Sequence, residues 1–178
     1  TTYIYTLSLH DALPILAGLL RTLPAGTPVV FDPVMVATSG AALNADGTTA
    51  AMARLMQLAT VVTPNLPELE ALGGIEAILA HAPAVLAKGG HAEGETVIDR
   101  LLTREGEAAR WQDSRIETTS THGTGCTLAS AIGTGLGQGM DLVAAIERAR
   151  RFVRAALLAA PGLGQGHGPM GHQAVRDF

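Results

Sequence analysis

The sequence predicts an α/β fold built on a parallel sheet that is flanked by helices. Short segments rich in Val, Leu and Ile alternate with segments whose apolar residues have helical spacing. Such alternation is typical of parallel sheets, because each helix returns the chain so that the next strand can run in the same direction. Polar residues directly follow the apolar segments, and ligands of such sheets bind beyond the carboxyl ends of the strands. We therefore expect the functional residues to gather there.

The first half of the chain alternates between predicted helices and predicted buried strands. Apolar residues at Met52, Leu55 and Met56 have helical spacing. The segments "PVVFD", "TVVTPN" and "AVLAKGG" contain continuous apolar runs, as strands covered on both faces do. Predicted helices lie over residues 16–23, 45–59, 66–74 and 75–82, and predicted strands over residues 28–32, 60–65 and 84–90.

The second half of the chain predicts an antiparallel unit followed by two long helices. The predicted strands lie over residues 95–103, 107–112 and 114–119, with a turn at residues 104–107. One helix is expected to begin at about Thr124, and a second covers residues 141–160. Pro161 and a glycine-rich tail follow the second helix, since proline cannot continue it.

Composition excludes several classes of protein. The chain is 47% hydrophobic and 16% charged, which fits a globular domain, and its net charge of −4 argues against a nucleic-acid partner. One cysteine cannot form an internal disulfide or a cysteine-rich zinc site, and we expect a reducing, cytoplasmic setting. Every apolar run is interrupted before it reaches the length of a membrane span, so no membrane partner is expected.

Residues 1–15, "TTYIYTLSLHDALPI", differ in character from the rest of the chain. They hold both tyrosines of a sequence otherwise dominated by Ala, Gly and Leu. They lack the basic region of a signal peptide, and His10, Asp11 and Pro14 break their apolar stretch. We interpret residues 1–15 as a non-native leader that resembles translated sequencing adapter, with a divergent helix start as the alternative.

The turn "GTGC" at residues 123–126 is a candidate site for anion chemistry. Glycines expose backbone N–H groups, and the start of a helix aims those groups at an anion. A thiolate at Cys126 would be stabilised by the dipole of the same helix. Two alternatives stay open from the residues alone: a small buried cysteine in a tight connection, and a Cys–His nucleophile formed with His122.

Functional residue types follow three of the predicted strands. Asp32, Asn65 and Lys88 stand at these strand ends, and Lys88 is the only lysine of the sequence. Asp32 and Glu68 could hold magnesium as a pair, directly or through water. Each of these acids could instead be a helix cap or a solvated side chain.

Several segments resemble, in order, the hydroxymethylpyrimidine/phosphomethylpyrimidine kinases of thiamine biosynthesis, which belong to the ribokinase-like superfamily. The resemblance runs from about Leu16 to His172. The "GTGC" turn, in place of the superfamily's more frequent G-x-G-D, favours this branch. The matching segments are "DPVMVATSGAAL", "TPNLPELEAL", "LAKGGH" with the later Asp99, "THGTGCTLASAI" and "GQGHGP".

The resemblance implies a doubly wound α/β fold with a mainly parallel sheet. It also implies transfer of the γ-phosphoryl group of ATP to a hydroxymethylpyrimidine or to its monophosphate, with Mg²⁺ as cofactor. Cys126 would take the place of an aspartate as the catalytic base, and Lys88 would contact the ATP phosphates. The backbone of Gly123, Thr124 and Gly125 would form the anion hole. Asn65 and Glu68 would organise the magnesium ion, and Asp32 would assist them.

The resemblance also implies what the chain lacks. Residues 16–178 correspond to a partial ribokinase-like domain without the N-terminal part that recognises the pyrimidine, so we expect this chain to be inactive and the intact enzyme to be a homodimer. Two further functions stay open. One is a pyridoxal kinase of the same superfamily, and the other is a non-catalytic protein that binds nucleotides.

Overall fold

The strands form one mixed sheet of five strands in the order β1-β2-β3-β4-β5 in the computed structural model, which describes residues 9–35, 48–90 and 94–176. The first three strands are parallel, with Val30 beside Val61 and Val62 beside Val85. The last two strands extend the sheet as an antiparallel hairpin. The strands are β1 (Val30–Phe31), β2 (Val61–Val62), β3 (Ala84–Ala87), β4 (Thr96–Thr103) and β5 (Gly106–Ser114).

Helices cover both faces of this sheet. Neighbouring residues of β2 point to opposite faces, so Val62 packs into one apolar cluster with α1 and α2, whereas Val61 packs into another with α5 and α6. This arrangement confirms the predicted doubly wound α/β fold. The helices are α1 (Leu9–Leu20), α2 (Thr48–Met56), α3 (Leu66–Ala71), α4 (Gly74–Leu79), α5 (Thr124–Gly137) and α6 (Leu142–Leu158), and a short 3₁₀ turn covers His172–Ala174.

The antiparallel part of the sheet is shorter than the sequence predicted. Strands β4 and β5 form the expected hairpin, with Thr103 opposite Gly106 at its turn. The prediction of a third antiparallel strand over residues 114–119 is wrong, since β5 ends at Ser114 and no strand follows it in this stretch. The chain must leave the edge of the sheet here, because α5 starts at Thr124 on one of its faces.

The predicted leader lies only partly within the described residues. Residues 1–8 fall outside them, whereas α1 begins at Leu9. Leu13 and Ala17 of this helix are 7% and 2% exposed and pack into the apolar cluster formed with α2. The non-native origin of residues 1–15 stays a prediction. Most of the "DPVMVATSGAAL" segment, residues 36–43, also lies outside the described part of the chain, as does His91.

Within the described ranges, none of the helices is both long enough and apolar enough to cross a membrane.

Candidate functional site

Three neighbouring strands end in polar residues that contact one another. The Nζ atom of Lys88, directly after β3, lies 2.7 Å from Oδ1 of Asp32, directly after β1. The hydroxyl group of Thr63, directly after β2, donates a hydrogen bond of 2.8 Å to the same Oδ1 atom. Both charged side chains are 13% exposed, so the ion pair is shielded without being closed to solvent.

The glycine-rich turn before α5 packs against this ion pair. Gly123 caps the helix with φ = +79°, a backbone conformation that glycine adopts without strain. A Cβ atom placed on Gly125 would lie 3.3 Å from Oδ2 of Asp32 and 3.5 Å from Nζ of Lys88. The missing side chain of Gly125 therefore lets the backbone of the helix start approach the cation closely.

The helix start and Lys88 together form a surface suited to an anion. The first N–H groups of an α-helix have no carbonyl partner within the helix, and the helix dipole adds partial positive charge there. The N–H group of Thr124 is 3.4 Å from the carbonyl oxygen of Thr121. Gly125 and Cys126 follow it in the first turn, so their N–H groups are the ones best placed for a ligand.

Cys126 is exposed at this first turn. The alternative of a buried cysteine that only fills a tight connection is therefore wrong. His122, the proposed partner of a Cys–His nucleophile, is also exposed. Its backbone N–H group binds the carbonyl oxygen of Gly168, so this residue connects the turn to the C-terminal tail.

Asn65 and Glu68 form a reciprocal cap at the start of α3. Oδ1 of Asn65 accepts a hydrogen bond from the N–H group of Glu68, and Oε2 of Glu68 accepts one from the N–H group of Asn65, each 2.8 Å long. The interpretation of Glu68 as a cap is thus confirmed. Asn65 also pairs with Lys88 in a parallel β-bridge, which places the cap beside the Lys88 backbone.

The side chains near the site limit the kinds of magnesium site that can form there. Within the described ranges, no three His, Cys, Asp or Glu side chains gather closely enough to hold a metal ion. Mg²⁺ commonly binds through one or two carboxylates, several waters and the phosphates of a substrate. Side chains of these described residues therefore do not form a magnesium site by themselves, and an ion held largely by a phosphate ligand would need only one or two carboxylates such as those of Asp32 and Glu68.

The C-terminal tail packs against the turn before α5. Thr121 and Thr127, on either side of the turn, are hydrogen bonded through their hydroxyl groups to His167 and His172 of the tail, each at 2.9 Å. Gly171 donates its N–H group to the carbonyl oxygen of Ala156 in α6. No local pattern of the sequence indicates a role for these two histidines, although His167 lies in the "GQGHGP" segment of the resemblance.

An open groove of about 500 Å³ adjoins Cys126 between α5 and α6. Its floor is apolar, with Ala149 buried and the ring of Phe152 lying 6.1 Å from the ring of His172. Polar side chains form its walls, including Arg148, which donates a hydrogen bond to Gln138. The groove is large enough to hold an aromatic ring and begins at the first turn of α5.

The chain is similar to kinases of one family in sequence and in structure. The family model described as phosphomethylpyrimidine kinase matches residues 7–171. A hydroxymethylpyrimidine/phosphomethylpyrimidine kinase of Rhizobium meliloti is 43% identical over 164 residues, which cover 83% of this chain and 61% of that protein.

Solved structures show the same fold. A Staphylococcus aureus pyridoxal kinase in complex with AMP-PCP and pyridoxal has a TM-score of 0.81 at 27% identity, covering 96% of this chain and 66% of that one. A phosphomethylpyrimidine kinase of Clostridium difficile has a TM-score of 0.66 at 27% identity, covering 85% of this chain and 66% of that one. The chain thus spans about three fifths to two thirds of the length of these relatives. By the family model and the sequence relative together, the chain belongs to the phosphomethylpyrimidine kinase family.

Proposed function

We propose that this chain provides the phosphate-handling part of a kinase that transfers the γ-phosphoryl group of ATP to hydroxymethylpyrimidine and to its monophosphate. The observation that carries the proposal is the contact between the Lys88–Asp32 ion pair and Gly125 at the start of α5. A cation and free N–H groups on one surface neutralise the charge of a transferring phosphoryl group. Phosphoryl transfer depends mainly on such positioning and charge neutralisation.

Each site residue has a proposed role in this transfer. The backbone of Gly123, Thr124 and Gly125 forms the anion hole, in which the N–H group of Gly125 is better placed for a ligand than that of Thr124, and Lys88 contacts the ATP phosphates. The acceptor oxygen forms a bond to the γ-phosphorus, the bond from that phosphorus to the bridging oxygen breaks, and ADP leaves. The exposed Sγ atom of Cys126 takes the proton of the acceptor hydroxyl group.

Magnesium is proposed as the second cofactor. When bound, Mg²⁺ neutralises the charge of the phosphate oxygens. Asp32 and Glu68 supply the carboxylates that fit such an ion, and Asn65 holds the Glu68 side chain through the reciprocal cap.

The groove between α5 and α6 is proposed to hold the nucleoside of ATP. It begins beside Cys126, so a phosphate chain at the helix start can continue into it. Phe152 and the buried Ala149 offer an apolar surface to a purine ring. Aromatic pairs prefer offset-stacked or edge-to-face arrangements, so a purine in this groove should lie against Phe152 in one of these two geometries.

A second candidate acceptor is pyridoxal. The structural similarity to the Staphylococcus aureus pyridoxal kinase, with a TM-score of 0.81, favours this candidate, whereas the family model and the 43% identical relative favour the pyrimidine. Incubation of the intact enzyme with labelled ATP, Mg²⁺ and each acceptor in turn separates the two kinases by which product carries the label, whereas the chain by itself is expected to label neither. An intact enzyme that binds ATP and labels neither acceptor would be the non-catalytic nucleotide-binding protein.

The phosphate site itself is tested by calorimetry with AMP-PCP and Mg²⁺. We expect the full chain to bind this analogue and Lys88→Ala to weaken the affinity by about 10- to 100-fold, since a hydrogen bond to a charged group contributes about 1.5–3 kcal/mol. Arg110→Ala is the matched control, because Arg110 is an exposed cation of the β4–β5 hairpin. Equal affinities for the wild type and Lys88→Ala would contradict the proposed phosphate site.

A further inference from the structure

A buried network of charged side chains lies behind the candidate site, between the hairpin and α6. Oδ2 of Asp99 in β4 accepts a hydrogen bond of 2.7 Å from Nε of Arg150 in α6. The two side chains are 10% and 9% exposed, so this ion pair is better shielded than the Lys88–Asp32 pair. Burial of two charges is costly unless each has good partners, and therefore the partners of this pair indicate what it does.

Asp99 binds the residue that follows Lys88. Its second oxygen, Oδ1, accepts a hydrogen bond of 2.9 Å from the N–H group of Gly89. Gly89 has no room for a side chain, because a Cβ atom there would overlap the carbonyl group of Ile98. The backbone after Lys88 is thus pressed against β4 and fixed by a charged acceptor, which binds more strongly than a neutral one.

Arg150 is held in turn on its outer side. Its second terminal nitrogen lies 2.8 Å from Oδ2 of Asp113 in β5, and its guanidinium group lies over the ring of Trp111, 5.6 Å from the ring centre. These contacts fix the planar guanidinium group, and so they fix the orientation of the Asp99 carboxylate that it binds. The path of contacts runs from β5 through Arg150 and Asp99 to the backbone of Gly89.

The backbone of Lys88 is fixed from the other side by the end of β2. The N–H group of Lys88 donates a hydrogen bond of 2.9 Å to the carbonyl oxygen of Pro64. The two peptide groups that flank the Lys88 Cα atom are therefore both anchored, one by Pro64 and one by Asp99. Anchoring on both sides limits where the long lysine side chain can place its Nζ atom.

We propose that Asp99, held by Arg150, is a positioning residue that fixes the Gly89 peptide group and thereby directs Nζ of Lys88 toward Asp32 and the first turn of α5. Asp99 acts through Lys88 and does not itself contact the phosphate. The part of the inference that concerns ligand affinity rests on the proposed function, whereas the part that concerns the Gly89 peptide group does not.

The competing explanation is that the network only fastens α6 to the hairpin. The test compares Asp99→Asn with Asp113→Asn, since each substitution removes one charged partner of Arg150 and only the first alters the acceptor of Gly89. An amide at position 99 has a single acceptor atom, so it cannot serve both Gly89 and Arg150. Arg150→Lys is a third variant, which keeps the charge and loses the fixed planar geometry.

Two quantities are measured for each variant of this chain, namely the rate of amide hydrogen exchange at Gly89 and the affinity for inorganic tripolyphosphate. In Asp99→Asn we expect Gly89 to exchange about tenfold faster relative to Val85 in the core, and affinity to fall by about 10- to 100-fold, as a misplaced binding group does. Arg150→Lys should change both quantities in the same direction and by less. Asp113→Asn should reduce stability and change both quantities less than the other two variants do, because Arg150 keeps Asp99 and Trp111 as partners.

The outcomes separate the two proposals. Equal exchange at Gly89 in Asp99→Asn and Asp113→Asn would overturn the positioning role. If Asp99→Asn does not fold, the same comparison between Arg150→Lys and Asp113→Asn decides the matter. A wild-type chain that binds no tripolyphosphate would contradict the proposed function, and the exchange at Gly89 would still decide the role of Asp99.

Discussion

Lys88 and Gly125 show how two residues that are far apart in sequence determine the character of the site. Lys88 brings the cation, and Asp32 holds it within 2.7 Å of a carboxylate oxygen. Gly125 contributes by lacking a side chain, which lets the helix backbone approach both charged groups. The charges and the small size of Gly125 therefore both contribute to the shape of the site.

The role of Gly125 is tested by Gly125→Ala. The added methyl group would lie 3.3 Å from Oδ2 of Asp32 and 3.5 Å from Nζ of Lys88, so it would occupy the space offered to a phosphate oxygen. We expect affinity for AMP-PCP to fall about tenfold or more, since one tenfold step corresponds to about 1.4 kcal/mol. Calorimetry gives the affinity, and chemical denaturation gives the stability.

Gly137→Ala in the last turn of α5 is the matched control. A Cβ atom there has no heavy atom within 4 Å, and alanine favours the helix over glycine by about 0.5–1 kcal/mol. This variant should keep wild-type affinity and equal or slightly exceed wild-type stability. If both alanine variants bind AMP-PCP like the wild type, the close approach of Gly125 has no part in ligand binding.

Cys126 is tested in the intact enzyme by its effect on turnover, for whichever acceptor the labelling experiment identifies. Loss of a general base slows a reaction by roughly 10²- to 10⁴-fold, so Cys126→Ala should lower kcat by that factor with ATP affinity nearly unchanged. Cys126→Asp should retain more activity than Cys126→Ala, because a carboxylate can also accept the proton. A normal kcat in Cys126→Ala would mean that the exposed thiol takes no part in the chemistry.

At the scale of the element, α3 shows a residue pair with both a structural and a proposed functional role. Asn65→Ala removes the acceptor for the Glu68 N–H group, so we expect the free energy of unfolding to fall by about 1 kcal/mol. Asn65→Asp should preserve most of that stability, because aspartate caps helices about as well as asparagine. Urea denaturation measures both variants, and equal losses in the two would show that the amide group itself, and not the cap, is required.

The β4–β5 hairpin carries the clearest dependence on pH. Hydrogen bonds from Arg110 and Arg100 lower the pKa of Glu107 from its ordinary value of 4.5 to about 2. A lowered pKa means that the stabilising contribution is fully present above pH 4.5 and is lost as the pH falls toward 2. In a carbon-13 NMR titration, the Glu107 carboxyl should therefore have a midpoint near pH 2, and Arg110→Ala should move it upward. A wild-type midpoint at the ordinary value would contradict these ion pairs.

At the scale of the whole molecule, α1 decides how much of the N-terminal region belongs to the fold. Leu13 is 7% exposed within the apolar cluster, whereas Ile15 on the same helix is 64% exposed. Leu13→Ala should lower the free energy of unfolding by about 2–5 kcal/mol, the usual effect of truncating a buried leucine. Ile15→Ala should change the stability by less than about 0.5 kcal/mol.

Thermal or urea denaturation of the two variants tests whether this part of residues 1–15 packs into the folded core or behaves as a leader outside it. A leader that does not pack would make Leu13→Ala as silent as Ile15→Ala. A large difference between the two variants would show that the helix is part of the folded core, whatever the origin of its sequence.

Three features of the fold could be predicted from the sequence alone, namely the alternation of strands and helices, the sheet flanked by helices and the turn before α5. These features depend on local periodicity, glycine placement and the apolar character of buried strands, which a single sequence displays directly. The same reasoning placed Asp32, Asn65 and Lys88 at strand ends, since the ends of parallel strands share one edge of the sheet. Asn65 and Glu68 could also be recognised as a cap, because both partners lie within one turn of the chain.

The contacts between these residues, and their hydrogen-bond and ion-pair partners, could be seen only in the folded structure. Asp32 binds Thr63 across 31 residues and Lys88 across 56, and Asp99 binds Arg150 across 51. The prediction of a third antiparallel strand was wrong for a related reason, since residues 114–119 have strand-like character but lead to α5. Periodicity indicates which face of an element is buried, whereas the choice of partner depends on how distant elements pack, and the chain between them carries no local signal of it.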